Sequence, residues 1–453
     1  MVKQEKKAVN KKPPFKEKMA FEGSGKKICL ASTSQPEADK SIISESVLSL
    51  QCPYCSSTDF VKRGTRLKKG GKTQLYLCRA CKRTFTPVWF KGRQHSWQVI
   101  LDAMSYYNLG FSLEQVGKVM KEKFGVEIMS STLSAWLAKY GQLCAYKRMR
   151  PFGMKMYSPY EIIETCTLAH RQLYRFRYHK AKTRLIMADD FKHYKFGPLK
   201  EFLDNVTAET PHQYFQEGER MSEAGTNRNK QKGKGDLPET SGNVGSGTLK
   251  FSKTEMIVRA KHNYATALTK LVFQGVSDNK QRHEALQKFF IANDSVTVAT
   301  EVPVYLRRED LEHMQTQLGF KLYAKNKDAE KNDDANSLRE IDSNEIPKLI
   351  TGHIDFLQIR NGAIHILDYK GEGAAKVRPI EQLTLYALAL SRLTGLRLFH
   401  FKCAWFDEND YFEFFPLHVV YKRNCGRKRI KTIEGVYNLN EKVNKIENLR
   451  PMV

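Results

Sequence analysis

The stretch GHIDFLQIRNGAIHILDYKGEG, residues 352–373, constrains the fold more than any other part of this chain. Asn361-Gly362 between two alternating apolar runs signals a two-residue hairpin, because a type I′ turn needs positive φ at both central positions. The turn sets a register. Arg360 pairs with Ala363, so Ile359 faces Ile364, Leu357 faces Ile366, and Asp355 faces Asp368. Alternation puts the last six on one side of the strands. Lys370, two residues past Asp368, points the same way. One end of this face is apolar and the other is charged.

Two carboxylates directly across a ladder have Cβ atoms only ~5 Å apart. They repel, and one tends to hold a proton. A divalent cation removes that conflict, and hard carboxylate oxygens suit Mg²⁺ or Mn²⁺. Such an ion polarises a phosphate and helps make hydroxide from water. The lysine can orient that water or neutralise developing charge. The plainer alternative is an edge hairpin with an Asp–Lys salt bridge.

A polyanionic partner is also suggested by charge. The 453 residues carry a formal charge of +26, and nucleic acid is the commonest polyanion. No apolar run approaches the roughly 18 residues of a spanning helix, and the lysine-bearing N-terminus has no apolar signal core. Nine cysteines do not suit a disulfide framework. Four sit in two tight pairs and five are scattered, which fits a reducing interior with one metal site. The expectation is an intracellular protein of the cytoplasm or nucleoid, with no membrane partner. Oligomeric state is left open.

The paired cysteines read CPYC at 52–55 and CRAC at 78–81. Two such knuckles can set Cys52, Cys55, Cys78 and Cys81 tetrahedrally around one structural Zn²⁺. Between them lie two short strands around Gly70-Gly71. So small a unit has little core, and the metal would supply much of its folding energy. Arg63, Arg66, Lys68, Lys69, Lys82 and Arg83 crowd it, which favours nucleic acid. The sequence CPYC…YLCRACKRTFTP resembles the zinc ribbons that open insertion-sequence transposases.

Residues 93–148 predict three helices. Trp97 to Asn108 has helical apolar spacing and Gly110 is a stop. Ser112 with Gln115 forms a capping-box pattern before Val116, Val119 and Met120, and Gly125 ends that helix. Ser130 or Ser131 is the expected cap of a third, carrying Leu133, Trp136, Leu137 and Tyr140. Helix, short glycine-containing turn, helix is the pattern of a helix-turn-helix. The third helix would then offer Thr132, Ala135 and Lys139 to DNA. A plain three-helix core is the other reading.

The hairpin itself resembles the core of the PD-(D/E)XK nucleases, in particular the RecB-type branch. There a G-x-x-D strand precedes a D-x-K strand and a Q-x-x-x-Y helix. Here those positions are Gly352 and Asp355, Asp368 and Lys370, then Gln382 and Tyr386 after Pro379. The resemblance implies a helical metal-binding histidine, matched by His283 in RHEALQKFF, and an acidic strand residue, matched by Glu301 in VTVATEVPVYL. YSPYEIIETCTLAHRQLYRFRYH resembles the helical start of such domains. Some RecB-type nucleases hold an iron–sulfur cluster. Cys166 lies upstream, but only Cys403 and Cys425 lie downstream, which argues against one. His353, inside the G-x-x-D motif, is expected to face Lys370 across the ladder. His170, His179, His193 and Asp189-Asp190 fit no ligand set by spacing.

The expected fold is multidomain α+β: a basic tail (1–46), the zinc ribbon (47–92), the helix-turn-helix-like segment (93–148), and an α/β restriction-endonuclease-like core (150–425). A mostly helical stretch is expected near 157–215, a flexible insert at 216–253, a polar insert near 321–345, and a basic tail at 426–453. The expected function is a DNA-binding, Mg²⁺- or Mn²⁺-dependent nuclease, of a mobile element or a repair and recombination system. Its catalytic residues would be Asp355, Asp368, Lys370, Glu301, Gln382 and Tyr386, and its metal ligands Asp355, Asp368 and His283. A non-catalytic zinc-ribbon and helix-turn-helix DNA-binding regulator, or a transposase-associated protein, is the alternative, and RNA remains open as the nucleic acid.

Overall fold

One large sheet carries an apolar layer on each face, and the hairpin predicted from Asn361-Gly362 lies within it. The structure is a computed structural model, and it describes residues 52–68, 71–86, 95–141, 149–188, 193–223, 250–251, 257–260, 263–276, 279–325, 338–341, 345–371, 373–420 and 436–437. The tail predicted at 1–46 lies outside these residues, as do Lys69, Gly70, Asp189-Asp190 and Cys425.

A three-stranded antiparallel sheet comes first: β1 (Phe60–Lys68), β2 (Gly71–Cys78) and β3 (Thr84–Phe85). Its small core is Cys52, Cys78 and Phe85, with Phe60 and Tyr76 packed edge-on or stacked against Phe85. Helices α1 (Trp97–Asn108), α2 (Leu113–Phe124) and α3 (Ser130–Tyr140) follow, close to the predicted spans. The Ser112–Gln115 capping box forms in both directions, and Gly125 closes α2 at φ 65°. The cap of α3 differs from expectation: Met129 is its N-cap, with no side-chain bond, and Ser130 is already helical. Val116, Met120 and Leu133 share one core. The segment is not free-standing. Trp97, Ile100, Leu101 and Met104 of α1 pack with Leu268, Leu271 and Phe290 of the main body, and Trp97 Nε1 donates to the Leu271 carbonyl at 2.9 Å.

After α4 (Met149–Met156), the first part of the stretch predicted to be mostly helical instead forms a β-hairpin, β4 (Ile163–His170) and β5 (Gln172–His179), fully paired from Ile163↔His179 to His170↔Gln172, and the expected helices begin only at Lys180. The residue types explain it. LYRFRYH alternates aromatic and charged side chains, Arg171 turns the chain at φ 59°, and β5 gains a partner strand in the main sheet. Then come α5 (Lys180–Met187), α6 (Gly197–Asp204), α7 (Val206–Glu209), α8 (His212–Glu217) and β6 (Glu219–Arg220). The insert predicted from 216 therefore starts later. β6 pairs in parallel with the main sheet and Met221 is fully buried, while 224–249 lie outside the described residues.

The remaining elements are β7 (Lys250–Phe251), β8 (Ile257–Ala260), α9 (Tyr264–Phe273), α10 (Asn279–Asn293), β9 (Thr297–Arg307), α11 (Arg308–Thr316), β10 (Leu322–Lys325), β11 (Leu338–Glu340), β12 (Leu349–Arg360), β13 (Ala363–Tyr369), α12 (Ile380–Thr394), β14 (Phe401–Phe406), β15 (Tyr411–Phe414), α13 (Pro416–Val420) and β16 (Val436–Tyr437). The polar insert near 321–345 is not wholly irregular, since β10 and β11 pair there and join β7. Nor is the C-terminal tail, since β16 pairs with β8. The main sheet has ten strands in the order β16-β8-β15-β14-β13-β12-β9-β5-β4, with β6 added on β12. Most neighbours are antiparallel, but β13 and β14 are parallel and are joined by α12. On one side, α12 packs Leu383, Tyr386 and Leu390 with Leu357, Ile359, Ile364 and Ile366. On the other, α10 packs Leu286, Phe289 and Phe290 with Phe356 and Leu367. Among the described residues no helix is long and apolar enough to cross a membrane.

Candidate active site

The hairpin has the predicted register. Arg360↔Ala363, Ile359↔Ile364 and Leu357↔Ile366 pair as expected, with Asn361 at φ 50° and Gly362 at φ 68°. The ladder extends to Phe356↔Leu367, and one step beyond it Asp355 stands opposite Asp368. Here the Asp355 side chain takes over from backbone, its Oδ2 accepting from the Tyr369 amide at 3.0 Å. On the other flank β12 pairs with β9 through Ile354↔Val302 and Phe356↔Thr300, which sets Asp355 opposite Glu301. Three acidic residues therefore stand in a row across three adjacent strands: Glu301, Asp355, Asp368. Glu301 has φ 52°, a backbone region that costs a non-glycine residue roughly 1–3 kcal/mol and clusters at functional sites.

His283, on α10, reaches the row from the helical layer. Its Nε2 lies 2.9 Å from Asp355 Oδ2 and its Nδ1 3.6 Å from Glu301 Oε1. The donor atoms of His283, Glu301 and Asp355 lie within 4.8 Å of one another. Two donors opposite each other on an ion with ~2.1 Å bonds stand about 4.2 Å apart, so small movements close this set. One imidazole with carboxylates suits Mg²⁺ or Mn²⁺. Gln287, one turn along α10 from His283, donates to Glu301 Oε1 at 2.6 Å. The i, i+4 spacing was the available signal for this residue.

Charge is finely divided here. Burial and the Asp355 charge push Asp368 up to about 8, so it holds a proton at neutral pH. Burial and Asp355 likewise push Glu301 up to about 7. Burial opposes ionisation of Asp355, but His283 beside it, with hydrogen bonds from His283, Asp368 and the Tyr369 amide, brings it down to about 2. For His283 burial opposes the charge, yet Asp355 and Glu301 lift it to about 9. The imidazolium thus supplies the cation that the carboxylates demand.

Lys370 Nζ lies 2.6 Å from Asp368 Oδ2 and donates to Gln382 Oε1 at 3.2 Å. Gln382 in turn donates to the Tyr386 hydroxyl at 2.9 Å. The Gln382–Tyr386 pair on α12 is therefore a bracket for the lysine. Pro379 is the N-cap of that helix. Tyr386 also touches the start of the motif, since a Cβ added at Gly352 would sit 2.4 Å from its Cε1.

His353 does not face Lys370. The β12–β13 ladder stops at Phe356↔Leu367 and β13 ends at Tyr369, while the His353 ring stacks on Tyr174 at 3.6 Å and its Nε2 is 2.9 Å from His170 Nδ1. The hairpin β4–β5 supplies those partners. His179 caps α5 through the Lys182 amide, and His193 Nε2 accepts from the Gly362 amide at 2.9 Å, so His170, His179 and His193 are not brought together as ligands.

At the other centre, Cys52 and Cys81 sulfurs are 3.6 Å apart, Cys55 and Cys78 3.5 Å, and all four lie within 4.8 Å. Zn–S bonds of about 2.3 Å in a tetrahedron put sulfurs roughly 3.8 Å apart, so the set fits one Zn²⁺. The residue after each knuckle, Ser56 and Lys82, takes positive φ, which turns the chain back so that both sulfurs face inward. Amides of Cys81 and Ala80 help bring Cys78 down to about 6. Arg63, Arg66, Lys82 and Arg83 are exposed around it, with Arg83 over the Tyr54 ring; the Lys68 side chain and Lys69 lie outside the described residues. On α3, Lys139 is exposed and Thr132 half-buried.

Residues 256–411 match the family model of the PD-(D/E)XK nuclease superfamily. That span holds His283, Glu301, Asp355, Asp368, Lys370, Gln382 and Tyr386, and it leaves β4 and β5 outside although β5 pairs within the same sheet. No curated protein and no solved structure matches the chain.

Proposed function

We propose that this chain is a divalent-metal-dependent nuclease that hydrolyses phosphodiester bonds of DNA. The row Glu301–Asp355–Asp368 carries the reading, joined by His283 from α10 and Lys370 from the D-x-K strand. Glu301, Asp355, His283 and Asp368 would hold Mg²⁺ or Mn²⁺. When bound, the ion supplies Lewis-acid polarisation of the phosphate and activation of water. Lys370, kept in place by Gln382 and Tyr386, presents its ammonium to the charge that develops on the phosphate. Asp368, already 2.6 Å from Lys370, would offer its other oxygen to the ion while the lysine balances its charge.

The four cysteines would hold Zn²⁺ as a structural ion. Arg63, Arg66, Lys68, Lys69, Lys82 and Arg83 around it, with Thr132 and Lys139 on α3, would bind DNA as a ribbon and helix-turn-helix. The docking of α1 on the main body supports delivery of that DNA to the catalytic centre. The RecB-type branch and a mobile-element setting rest on the sequence motifs.

The test is cleavage of labelled single-stranded DNA, duplex DNA and RNA with Mg²⁺, Mn²⁺ or EDTA, using Asp368→Ala and Lys370→Ala as controls. Metal-dependent cutting of DNA that both substitutions abolish is expected. Cutting that survives both sinks the site assignment. Binding without cutting under all conditions favours a non-catalytic DNA-binding protein.

A further inference from the structure

A second charged cluster flanks the candidate metal centre, and the reaction proposed above leaves it without a role. Arg175 and Arg177, two apart on β5, share a face, and Glu284 and Lys288 are one turn apart on α10. Glu284 Oε1 receives Arg175 Nη1 at 2.8 Å, Arg177 Nη2 at 3.2 Å and Lys288 Nζ at 3.0 Å. One carboxylate touches all three cations, and Glu301 beside them attracts only Arg177, so the cations still outnumber the acids. The Arg177 side chain is only 7% exposed, and its buried Nη1 has no hydrogen-bond partner among the described residues. A buried guanidinium with an unpaired arm is costly. It is relieved by an anion carrying more acceptor oxygens than Glu284 offers.

Placement narrows the choice of anion. Arg177 pairs with Thr300 on β9, the residue before Glu301, and Glu284 follows His283 on α10. The cluster therefore lies along the β5 side of the acidic row. Its outer members are reachable, with Arg175 56% and Lys288 49% exposed. Guanidinium forks match phosphate oxygens in pairs. A carboxylate set among three cations keeps them ordered and spaced before a ligand arrives.

We propose that Arg175, Arg177 and Lys288 form a phosphate-binding subsite for the backbone of the nucleic-acid strand that enters the metal centre, with Glu284 competing with that phosphate for the same cations. The identity of the anion rests on the nuclease reading, whereas the binding does not depend on the chemistry.

The test uses the full chain in EDTA, so that no strand is cut. Anisotropy titrations with labelled single-stranded DNA, duplex DNA and single-stranded RNA, each over a salt series, compare wild type with R175Q, R177K and E284Q. R175Q weakens binding about tenfold, and it lowers the slope of log K against log salt by about 0.7–0.9. R177K keeps the charge but loses the fork, so it weakens binding with little change of slope. E284Q tightens binding about fivefold, the value of one removed charge at ~4 Å in water. A purely structural ion pair predicts the opposite sign for E284Q. R175Q and E284Q carry the test even if R177K fails to fold. Unchanged affinity and slope in both, weaker binding by E284Q, or no binding of any strand overturns the proposal. The responding probe identifies the strand class. Metal-dependent cleavage by wild type, measured in parallel, separates the two readings. Cleavage with unaltered R175Q binding sinks the subsite alone. Arginine-dependent binding without cleavage sinks the nuclease reading and leaves the subsite.

Discussion

Replacing Gly352 with alanine tests whether the G-x-x-D strand and the Q-x-x-x-Y helix are two halves of one contact. A Cβ at position 352 would lie 2.4 Å from Tyr386 Cε1, with Met221 Cβ and Sδ at 3.2 and 3.3 Å. Tyr386 is 4% exposed and Met221 fully buried, so neither has room to retreat. Gly352 does not use positive φ, so the effect is steric. Overpacking of this kind costs about 1–3 kcal/mol, which lowers the melting temperature by roughly 1–3 °C in a chain of this size. The displaced tyrosine would carry Gln382 and hence Lys370 with it. A misplacement of about 1 Å at a catalytic group costs about a hundredfold in rate. Thermal unfolding and single-turnover cleavage of G352A, Y386L and the double variant read both effects. Trimming Tyr386 should return stability to G352A without returning activity, because the hydroxyl that anchors Gln382 is gone. Wild-type stability and rate in G352A, or strictly additive losses in the double variant, would refute the coupling.

Three further outcomes follow from other parts of the molecule. Lys182 is 1% exposed, and its Nζ donates to the carbonyls of Ile291, Asp294 and Thr297 at 2.6–2.8 Å. Burial pulls its amine down to about 7, but three carbonyl acceptors match the three protons of an ammonium, and we take it as charged. Lys182→Met should cost at least about 3 kcal/mol in denaturant unfolding, and a neutral result would show that the junction of α10 and β9 does not need it. The metal-free protein should weaken as pH rises from 6.5 to 9. His283, lifted to about 9, gives stability that is full below pH 6.5 and lost through 9, and Asp368, raised to about 8, retains a proton that the unfolded chain has already shed. Mg²⁺ should offset the loss increasingly at high pH, and melting curves that are flat or rising without metal would contradict the charge assignment. Cys78→Ser should abolish one bound zinc per chain by elemental analysis, and an unchanged zinc content would remove the four-sulfur assignment.

The parts of this fold that were legible in the sequence are those set by local rules. Asn361-Gly362 needed only φ preference to fix a register, and Ser112 with Gln115 needed only three residues of spacing. What was missed depends on partners far away in the chain. LYRFRYH looked helical beside its neighbours, yet β5 is held extended by β9, and both its faces are buried at that end. His353 found His170 and Tyr174 only because that hairpin exists. Glu301 could be suspected from resemblance, but its left-handed backbone and its place directly opposite Asp355 come from the pairing of β9 with β12. Pairing of Lys182 with three carbonyls more than a hundred residues away left no local mark either.

The most direct measurement is the anomalous difference map of a crystal grown with Mn²⁺. The account predicts a peak bonded at about 2.0–2.3 Å to His283 nitrogen and to oxygens of Glu301 and Asp355, with Asp368 alongside, and predicts that Asp355→Asn removes it. A peak elsewhere, or one that persists in Asp355→Asn with the same ligands, would contradict the claim that this row of carboxylates is the metal centre.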